Sequence, residues 1–351
     1  MNGRSPRALR LDDLEYDLPP ELIAQTPVEP RDAARLLVYS RGGAVPEDRR
    51  VAELAALLRP GDVIVRNDTR VYAARTRFVR PTGGRLELLF LQPDADDTWE
   101  VLVRGRPVQG EALAHIDRQS GWEVRCEEKL GEGRWRVRSL AGDSVPVLLQ
   151  RHGETPLPPY IHTALADSDR YQTVYARHQG SAAAPTAGLH FTRRLEVELR
   201  AAGVTIEELT LHVGLGTFKP LTAETLAARK LHSERFTIAA RTWRRIAGAR
   251  SEGRRVIAVG TTTVRTLEHL AAGGAAAVRG DALVGEVDLF IAPGWEFRAV
   301  DAIITNFHLP RTSLLALVMA FIGVAETQRL YRHAVAERYR FYSFGDAMLL
   351  T

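Results

Sequence analysis

AVDAIITNF (299–307), HLPRTS (308–313) and LLALVMAFIG (314–323) follow one another without a break. The first run is short, apolar and β-branched, which predicts a buried strand. The last is a continuous apolar segment rich in Leu, Ala and Met, which suits a buried helix. Between them lie Asn306, His308, Pro310, Arg311, Thr312 and Ser313. Pro310 holds Leu309 in extended geometry, so the strand stops there. Thr312 or Ser313 can cap the helix that follows. A His, an Asn and an Arg thus crowd the point where a strand ends and a helix N-terminus begins, and open α/β sheets bind ligands at that edge. A polar turn whose groups only satisfy one another produces the same pattern, so the rest of the chain has to decide.

Outward from this stretch the same texture repeats. ARLLVYS, DVIVRN, VTIEELTLHVG, FTIAA and RRVIAVG read as strands. PELIAQ, VAELAALLRP, TRRLEVELRAAG, residues 221–230, ARTWRRIAGARSEG and TVRTLEHLAAGG read as helices. ETQRLYRHAVAERYRFYSFGDAMLLT closes the chain with a helix and a final strand. From Val71 to about Thr155 the pattern changes to short alternating runs: VYAARTRFV, RLELLFLQP, TWEVLVRG, ALAHIDRQ, WEVRCEE and RWRVRSLA. Turn signals such as PTGG, DADD and LGEG separate them at roughly 8–12-residue spacing, which predicts a small antiparallel barrel or sandwich. Trp135 and Val137 point inward and Arg134, Arg136 and Arg138 outward, as a strand with one wet face requires. Strand–helix alternation on both sides of a β-only block implies a Rossmann-like, mixed-sheet α/β domain (1–70 plus 156–351) with an inserted β-barrel (71–155).

The 351 residues, 45% hydrophobic and 26% charged, have the profile of an ordinary globular protein. One cysteine, Cys126, excludes an intramolecular disulfide framework and a cysteine-rich metal site, and fits a reducing compartment. The N-terminus has no apolar core of a secretory signal, and Leu314–Ala325 is too short to span a bilayer. A cytoplasmic protein is expected. The net charge of +4 permits a polyanionic partner without demanding one. The barrel block carries 13 basic and 13 acidic residues, so it is not basic in bulk.

Polar clusters fall at several strand ends. They are Asn67-Asp68-Thr69-Arg70, Thr186 to Thr192 (with Gly188, His190 and Phe191), and His212-Val213-Gly214-Leu215-Gly216-Thr217-Phe218. Thr261-Thr262-Thr263-Val264-Arg265 and Thr305-Asn306-Phe307-His308 complete the set. One cluster would be turn chemistry; five are expected to converge on one rim. VGLGTF lacks the third glycine of a dinucleotide fingerprint, and Pro220 interrupts the helix that should follow, so a tight turn with close backbone approach is the better reading. His190, His212, His232 and His308 have no zinc spacing, and no metal is expected. Set beside Thr and Asn at strand ends, they are candidates for proton transfer near neutral pH.

The blocks NDTRV (67–71), APTAGLHFT (184–192), LHVGLGTF (211–218), HSE (232–234), VGTTTVRTLE (259–268), TNFHLPRTSLLALV (305–318) and YRFYSFGDAMLL (339–350) together resemble the S-adenosylmethionine:tRNA ribosyltransferase-isomerases of queuosine synthesis. The similarity runs from YDLPPELIAQTP to the C-terminus and weakens through the barrel and residues 271–284. Leu231, Leu215 and Thr263 depart from the usual Met, Ala and Ser.

The resemblance implies transfer of the ribosyl part of S-adenosylmethionine to the aminomethyl group of 7-aminomethyl-7-deazaguanine at the wobble position of a tRNA anticodon loop. Epoxyqueuosine, adenine and methionine would be the products. The donor is then consumed as a substrate, with no cofactor, and a monomer is expected. The chemistry needs a general base, a donor to the departing adenine and a dry pocket. By residue type and position, His308 or His190 is the proton-transfer group, with Asp68 or Asp346 as an orienting or cation-facing carboxylate. Arg70, Arg265 and Arg311 are candidate contacts to carboxylate or phosphate. Thr186, Thr192, Thr261, Thr262 and Asn306 are candidate partners of ribose and adenine. Asn67, Thr69, Gly188, Phe191, His212, Gly214, Gly216, Thr217, Phe218 and Thr263 complete the expected substrate rim. A basic strip near Arg31, Arg70, Arg177, Arg193, Arg265 and Arg311 is expected to meet the RNA. An S-adenosylmethionine-dependent RNA methyltransferase, or a non-catalytic tRNA-binding module, fits the same residues by composition alone.

Overall fold

The computed structural model describes residues 9–43, 45–94, 97–131, 133–163, 165–214 and 221–351. In chain order the strands and helices are β1 (Arg35–Tyr39), β2 (Glu47–Arg50), α1 (Leu54–Leu57), β3 (Val63–Asn67) and β4 (Thr69–Val71). The next are β5 (Arg75–Val79), β6 (Arg85–Pro93), β7 (Thr98–Arg104), β8 (Ala112–His115), β9 (Glu123–Gly131), β10 (Arg134–Ser139) and α2 (Val145–His152). Then follow β11 (His178–Ser181), α3 (Arg193–Ala201), β12 (Thr205–Leu211), α4 (Ala223–Ala228), β13 (Lys230–Ala239), α5 (Ala240–Ser251), β14 (Val256–Val259) and α6 (Thr261–Ala271). The chain ends with β15 (Ala276–Arg279), β16 (Ala282–Leu289), β17 (Ala302–Asn306), α7 (Ser313–Ile322), α8 (Val324–Ala336) and β18 (Ala347–Leu350).

The chain divides into two compact units. One runs to Arg70 and resumes at Pro158; the other is Val71–Leu157. The return to the α/β unit therefore falls two residues beyond the expected boundary. Within the second unit, β5 to β10 close into an antiparallel barrel in the order β10-β7-β6-β5-β8-β9. Phe78, Phe90, Trp122, Val124, Trp135 and Val137 fill it, and Val145, Leu148 and Leu149 of α2 pack on the same core. Cys126 is buried among them. Helix α2 was not foreseen, because its apolar residues sit in a segment framed by turn signals.

The α/β unit holds a ten-stranded sheet among its described residues, ordered β15-β16-β13-β12-β3-β14-β17-β18-β1-β2. Strands β12, β3, β14 and β17 run parallel at its centre, and the flanks are mixed. Alternation along each strand sends successive side chains to opposite faces. Val63, Val65, Ala258, Ile303 and Met348 meet α5, α6, α7 and α8 on one face. Ile64, Ile206, Ile257, Val259 and Ile304 meet α1, α3 and the turn before α3 on the other. Two cores thus sandwich one sheet.

Three local expectations change. PELIAQ forms only a 3-10 turn, Pro20–Leu22, because Pro19 and Pro20 leave too few backbone donors for a helix. Residues 271–284, read as a loop, include the hairpin β15–β16, whose exposed residues show no apolar alternation and whose register comes from pairing with β13. The edge strand β2 is fully exposed and charged, a composition that hides a strand from pattern reading. Thr312 caps α7 as expected, accepting from the Leu315 amide at 3.3 Å. Gly323, at φ +95°, ends α7 and lets the chain turn by 113° into α8, a backbone region that side chains disfavour. Among the described residues no single helix is long and apolar enough to cross a membrane.

Candidate active site

Of the four central parallel strands the chain lays down β3 first, then β12 on one side of it and β14 on the other. The winding direction reverses at β3, and ligands of open α/β sheets sit outside the carboxyl ends of strands at such a point. Asn67, Leu211, Val259 and Asn306 are the last residues of the four parallel strands. The expected convergence of polar clusters is found there, divided between the two faces of the sheet.

On the α6 face, Asn67 Oδ1 accepts from the amides of Leu211 (3.0 Å) and Thr69 (3.1 Å). Its Nδ2 donates to the Leu211 carbonyl at 2.9 Å and reaches Thr262 Oγ1 at 3.4 Å. Asn67 therefore ties three strand ends together. Thr261 and Thr262 open helix α6 at this rim. Thr263 Oγ1 turns back to the Val259 carbonyl at 2.7 Å and is fully buried, so it does not face a ligand. Arg265 is also corrected. Buried inside the unit, it donates to Glu234 and to the carbonyls of Leu289 (3.0 Å) and Val287 (3.2 Å). Glu234 in turn accepts the Gly214 amide at 2.9 Å. This pair fixes the loop after β12 rather than offering a free cation. Gly216, Thr217 and Phe218 lie outside the described residues.

His308 also belongs to this face. Its Nε2 is 3.0 Å from Thr305 Oγ1, its amide donates to the Tyr331 hydroxyl at 3.1 Å, and its carbonyl accepts from Tyr16. Burial pushes its pKa down to about 3. The side chain is buried against Thr305, and two tyrosines hold its backbone.

The opposite face carries His190. Thr186–His190 form a 3-10 turn, with Thr186 partly exposed. Gly188 is required there, since a Cβ would lie 2.0 Å from the Tyr175 hydroxyl. Asn306 Nδ2 donates to the Tyr342 carbonyl at 2.9 Å and lies 3.2 Å from His190 Nε2. This makes His190 Nε2 the acceptor. Asn306 Oδ1 is buried and has no hydrogen-bond partner. Burial first, then the charges of Arg31 and Arg340, bring the His190 pKa down to about 4. A cavity of about 20 Å³ opens beside the ring, lined in part by Arg31, Arg170, His190, Ser343 and Gly345. Tyr342, whose carbonyl orients Asn306, sits at φ +72°, a strained conformation for a tyrosine and the kind of strain that gathers at functional sites.

Several expected contacts on this side prove structural. Phe191 is buried edge-on against Tyr175. Thr192 caps α3 through the Leu195 amide (3.1 Å) and donates to Asp32 (2.8 Å). Asp346 spends both oxygens on backbone amides, Oδ1 on Arg35 and Oδ2 on Arg340, each at 2.8 Å. It clamps β1 to the loop after α8. Asp68 accepts from Thr210 Oγ1 at 2.6 Å and lies 3.6 Å from the exposed His178. Burial raises its pKa, with Thr210 and His178 opposing. His212 is held by Thr69 Oγ1 at 2.9 Å, and its pKa is lowered mainly by burial. Arg70 is half-buried and paired with Asp169 at 3.5 Å, and Arg311 is exposed and paired with Glu15.

Sequence reasoning missed Arg170, Arg340 and Ser343 as site residues, although YRFYSFGD places an Arg and a Ser between aromatic residues. It also did not foresee that the barrel unit gathers His115, Asp117 and His152 within 4.8 Å of one another. The His115 ring is already engaged on both sides, Nε2 with Thr76 Oγ1 at 2.9 Å and Nδ1 with the Asp117 amide at 3.2 Å. These contacts make it a turn anchor.

Comparison with known proteins agrees with this geometry. A family model described as "Queuosine biosynthesis protein" matches residues 11–350. An S-adenosylmethionine:tRNA ribosyltransferase-isomerase of Moorella thermoacetica is 48% identical, the alignment covering 97% of this chain and 100% of the relative. One from Rubrobacter xylanophilus is 50% identical, covering 97% and 98%. The crystal structure of an S-adenosylmethionine tRNA ribosyltransferase from Thermotoga maritima is similar at a TM-score of 0.55 and 35% identity, covering 97% of this chain and 100% of that one. A full-length match at this identity leaves one assignment: the chain belongs to the S-adenosylmethionine:tRNA ribosyltransferase-isomerase family.

Proposed function

We propose that the protein transfers and isomerises the ribosyl part of S-adenosylmethionine onto 7-aminomethyl-7-deazaguanine at the wobble position of a tRNA, releasing adenine and methionine. The observation that carries this reading is that the seven family-like blocks meet at the carboxyl ends of the central strands, hydrogen-bonded in one set on each face of the sheet. Glu234 joins Gly214 to Arg265, and Asn67 joins Leu211 to Thr262. Gly260 donates to Ile304, and Asn306 joins His190 to Tyr342. The barrel, a reducing-compartment composition and a monomeric, cytoplasmic enzyme are consistent with one another.

The sulfonium of the donor acidifies the adjacent C5′ hydrogens and makes methionine a leaving group. A base removes a C5′ proton, adenine departs, the tRNA amine attacks, and closure of the epoxide follows. His190 is the base we assign. It lines a cavity, whereas the His308 ring meets Thr305 on the other face of the sheet. Burial and two arginines keep the ring neutral, and Nε2, which accepts from Asn306 here, is the nitrogen that takes the proton once substrate displaces that contact. The unpartnered Asn306 Oδ1 is a ready acceptor for a substrate N–H, such as the exocyclic amine of adenine. Asp68, close to the end of β3, is assigned an orienting role.

Incubation with labelled donor and substrate tRNA should yield free adenine and methionine in equal amounts. S-adenosylhomocysteine would instead mark a methyltransferase, and no turnover a binding module. RNA binding should weaken as salt rises, with a log–log slope of about −0.7 for each phosphate contacted on single-stranded regions. Arg177 and Arg193 are largely exposed and lie on the His190 side, each already holding a glutamate. Charge reversal at both should flatten that slope and raise the KM for tRNA more than for the donor. A wild-type slope near zero would place recognition in shape and stacking instead. Arg265, buried and paired, is removed from the expected strip.

A further inference from the structure

We infer that the cavity beside His190 is an anion subsite, in which Arg31, Arg170 and Arg340 receive one oxyanion of a substrate, either an RNA phosphodiester or the carboxylate of the sulfonium donor. This rests on the reaction proposed above and names how the same site holds its substrate. Arg31 and Arg170 line the cavity directly. Arg340 stands behind this lining, donating to the carbonyl of Thr26, the residue before the cavity-lining Pro27.

The three guanidinium groups are anchored mainly by neutral partners. Arg31 donates to the carbonyls of Gln172 (2.8 Å), Asp169 (2.9 Å) and Leu189 (3.3 Å). Arg170 donates to the Val28 carbonyl at 2.7 Å. Among the described residues neither Arg31 nor Arg340 is in an ion pair. The carboxylate paired with this cluster is Glu29, 3.0 Å from Arg170 and with a side chain 75% exposed. Asp346, the acid nearest Arg340 in sequence, is spent on two backbone amides. Carbonyl dipoles hold the planar forks in place without cancelling their charge.

That arrangement is expensive unless something anionic arrives. A half-buried cation loses hydration, and the acids that act on these two, Glu29, Asp167 and Asp169 on Arg31 and Asp346 on Arg340, offset that burial only in part. Burial and the neighbouring Arg170 push the Arg31 pKa down, and burial does the same for Arg340. Both charges also act on His190. Each guanidinium has five N–H donors, and the carbonyl contacts use only part of that set. The cavity, about 20 Å³, has room for about one small polar group and none for a base or sugar ring. Its occupant is therefore the end of an oxyanion whose remainder lies outside. An anion seated there would orient the substrate and, by offsetting two nearby positive charges, raise the basicity of His190.

The test uses the full-length enzyme, substrate tRNA and the donor. Arg340→Gln should raise the KM of one substrate about 10–100-fold, the range expected for losing a charge-assisted contact. Arg340→Lys should recover part of that loss while the thermal midpoint stays near wild type. A rise confined to tRNA identifies a phosphodiester, and one confined to the donor identifies the carboxylate. If both KM values stay within twofold of wild type, the subsite is refuted. Calorimetry with inorganic phosphate gives an answer independent of turnover. Binding to the wild type that Arg340→Gln and Arg31→Lys weaken supports the subsite, and absence of binding overturns it. A wild type that releases no adenine would sink the reaction reading alone, since the phosphate titration still decides the subsite.

Discussion

Replacing His190 with Ala is expected to lower turnover about 10²–10⁴-fold, the usual share of a general acid or base. His190→Gln separates chemistry from packing. It leaves Asn306 a polar partner in place of the ring nitrogen and still removes the titrating group, so it should be as inactive as the alanine variant and more stable. His308→Ala should change stability more than turnover, because its ring is buried and held by Thr305. The pH profile adds a readout that packing would not move. Burial and two arginines favour the neutral ring, so kcat/KM of the wild type should hold steady from neutrality down to about pH 5 and fall as pH approaches about 4. Turnover of His190→Gln within threefold of wild type would return the role to His308 or His212.

The second large effect concerns stability. Arg66 projects from the middle of the sheet with a side chain only 2% exposed. Its guanidinium lies 2.8 Å from Glu196 and 2.6 Å from Glu208, and stacks 3.7 Å above the Tyr175 ring. The planar fork answers two carboxylates and an aromatic face at once, which the point charge of a lysine cannot do. Arg66→Met should cost about 2–3 kcal/mol, because Glu208 and Glu196 lose their buried partner and keep only the largely exposed Arg177 and Arg193. Urea unfolding measures it. Adding Glu196→Gln should restore part of the loss. A cost below about 1 kcal/mol would show that water reaches the carboxylates and that the pair is not desolvated.

The order of strands and helices was legible because it rests on local pattern. IITNF and DVIVRN are short, apolar and β-branched, and GG, PTGG and LGEG punctuate the runs around them. The barrel was legible for the same reason: Trp135 and Val137 alternate with arginines over a single strand. Elements that carry no pattern were lost. The exposed β15 and β2 become strands because a neighbour supplies their hydrogen bonds, and nothing in their own side chains announces it.

The site divides along the same line. Its rim was readable from polar residues placed just after apolar runs, and the resemblance supplied the chemistry. The sequence did not show that His308 and His190 serve opposite faces of one sheet. Thr305 and Asn306 are neighbours in the chain, yet alternation sends one to His308 and the other to His190. Nor did it show which arginines keep a free charge. Arg265 is neutralised by Glu234, 31 positions away, whereas Arg31 and Arg340 are met by carbonyls 138 to 314 positions away.

What the sequence alone determined, then, was where strands end, that a barrel interrupts an α/β domain, and which polar residues stand at the rim, all consequences of interactions within a few residues. Which of those residues face a ligand, and which spend their hydrogen bonds on the fold, was decided only in three dimensions. A buried polar group takes whichever partner the packing brings to it, and here that partner is often more than a hundred residues distant, as Asn306 and His190 are, 116 positions apart.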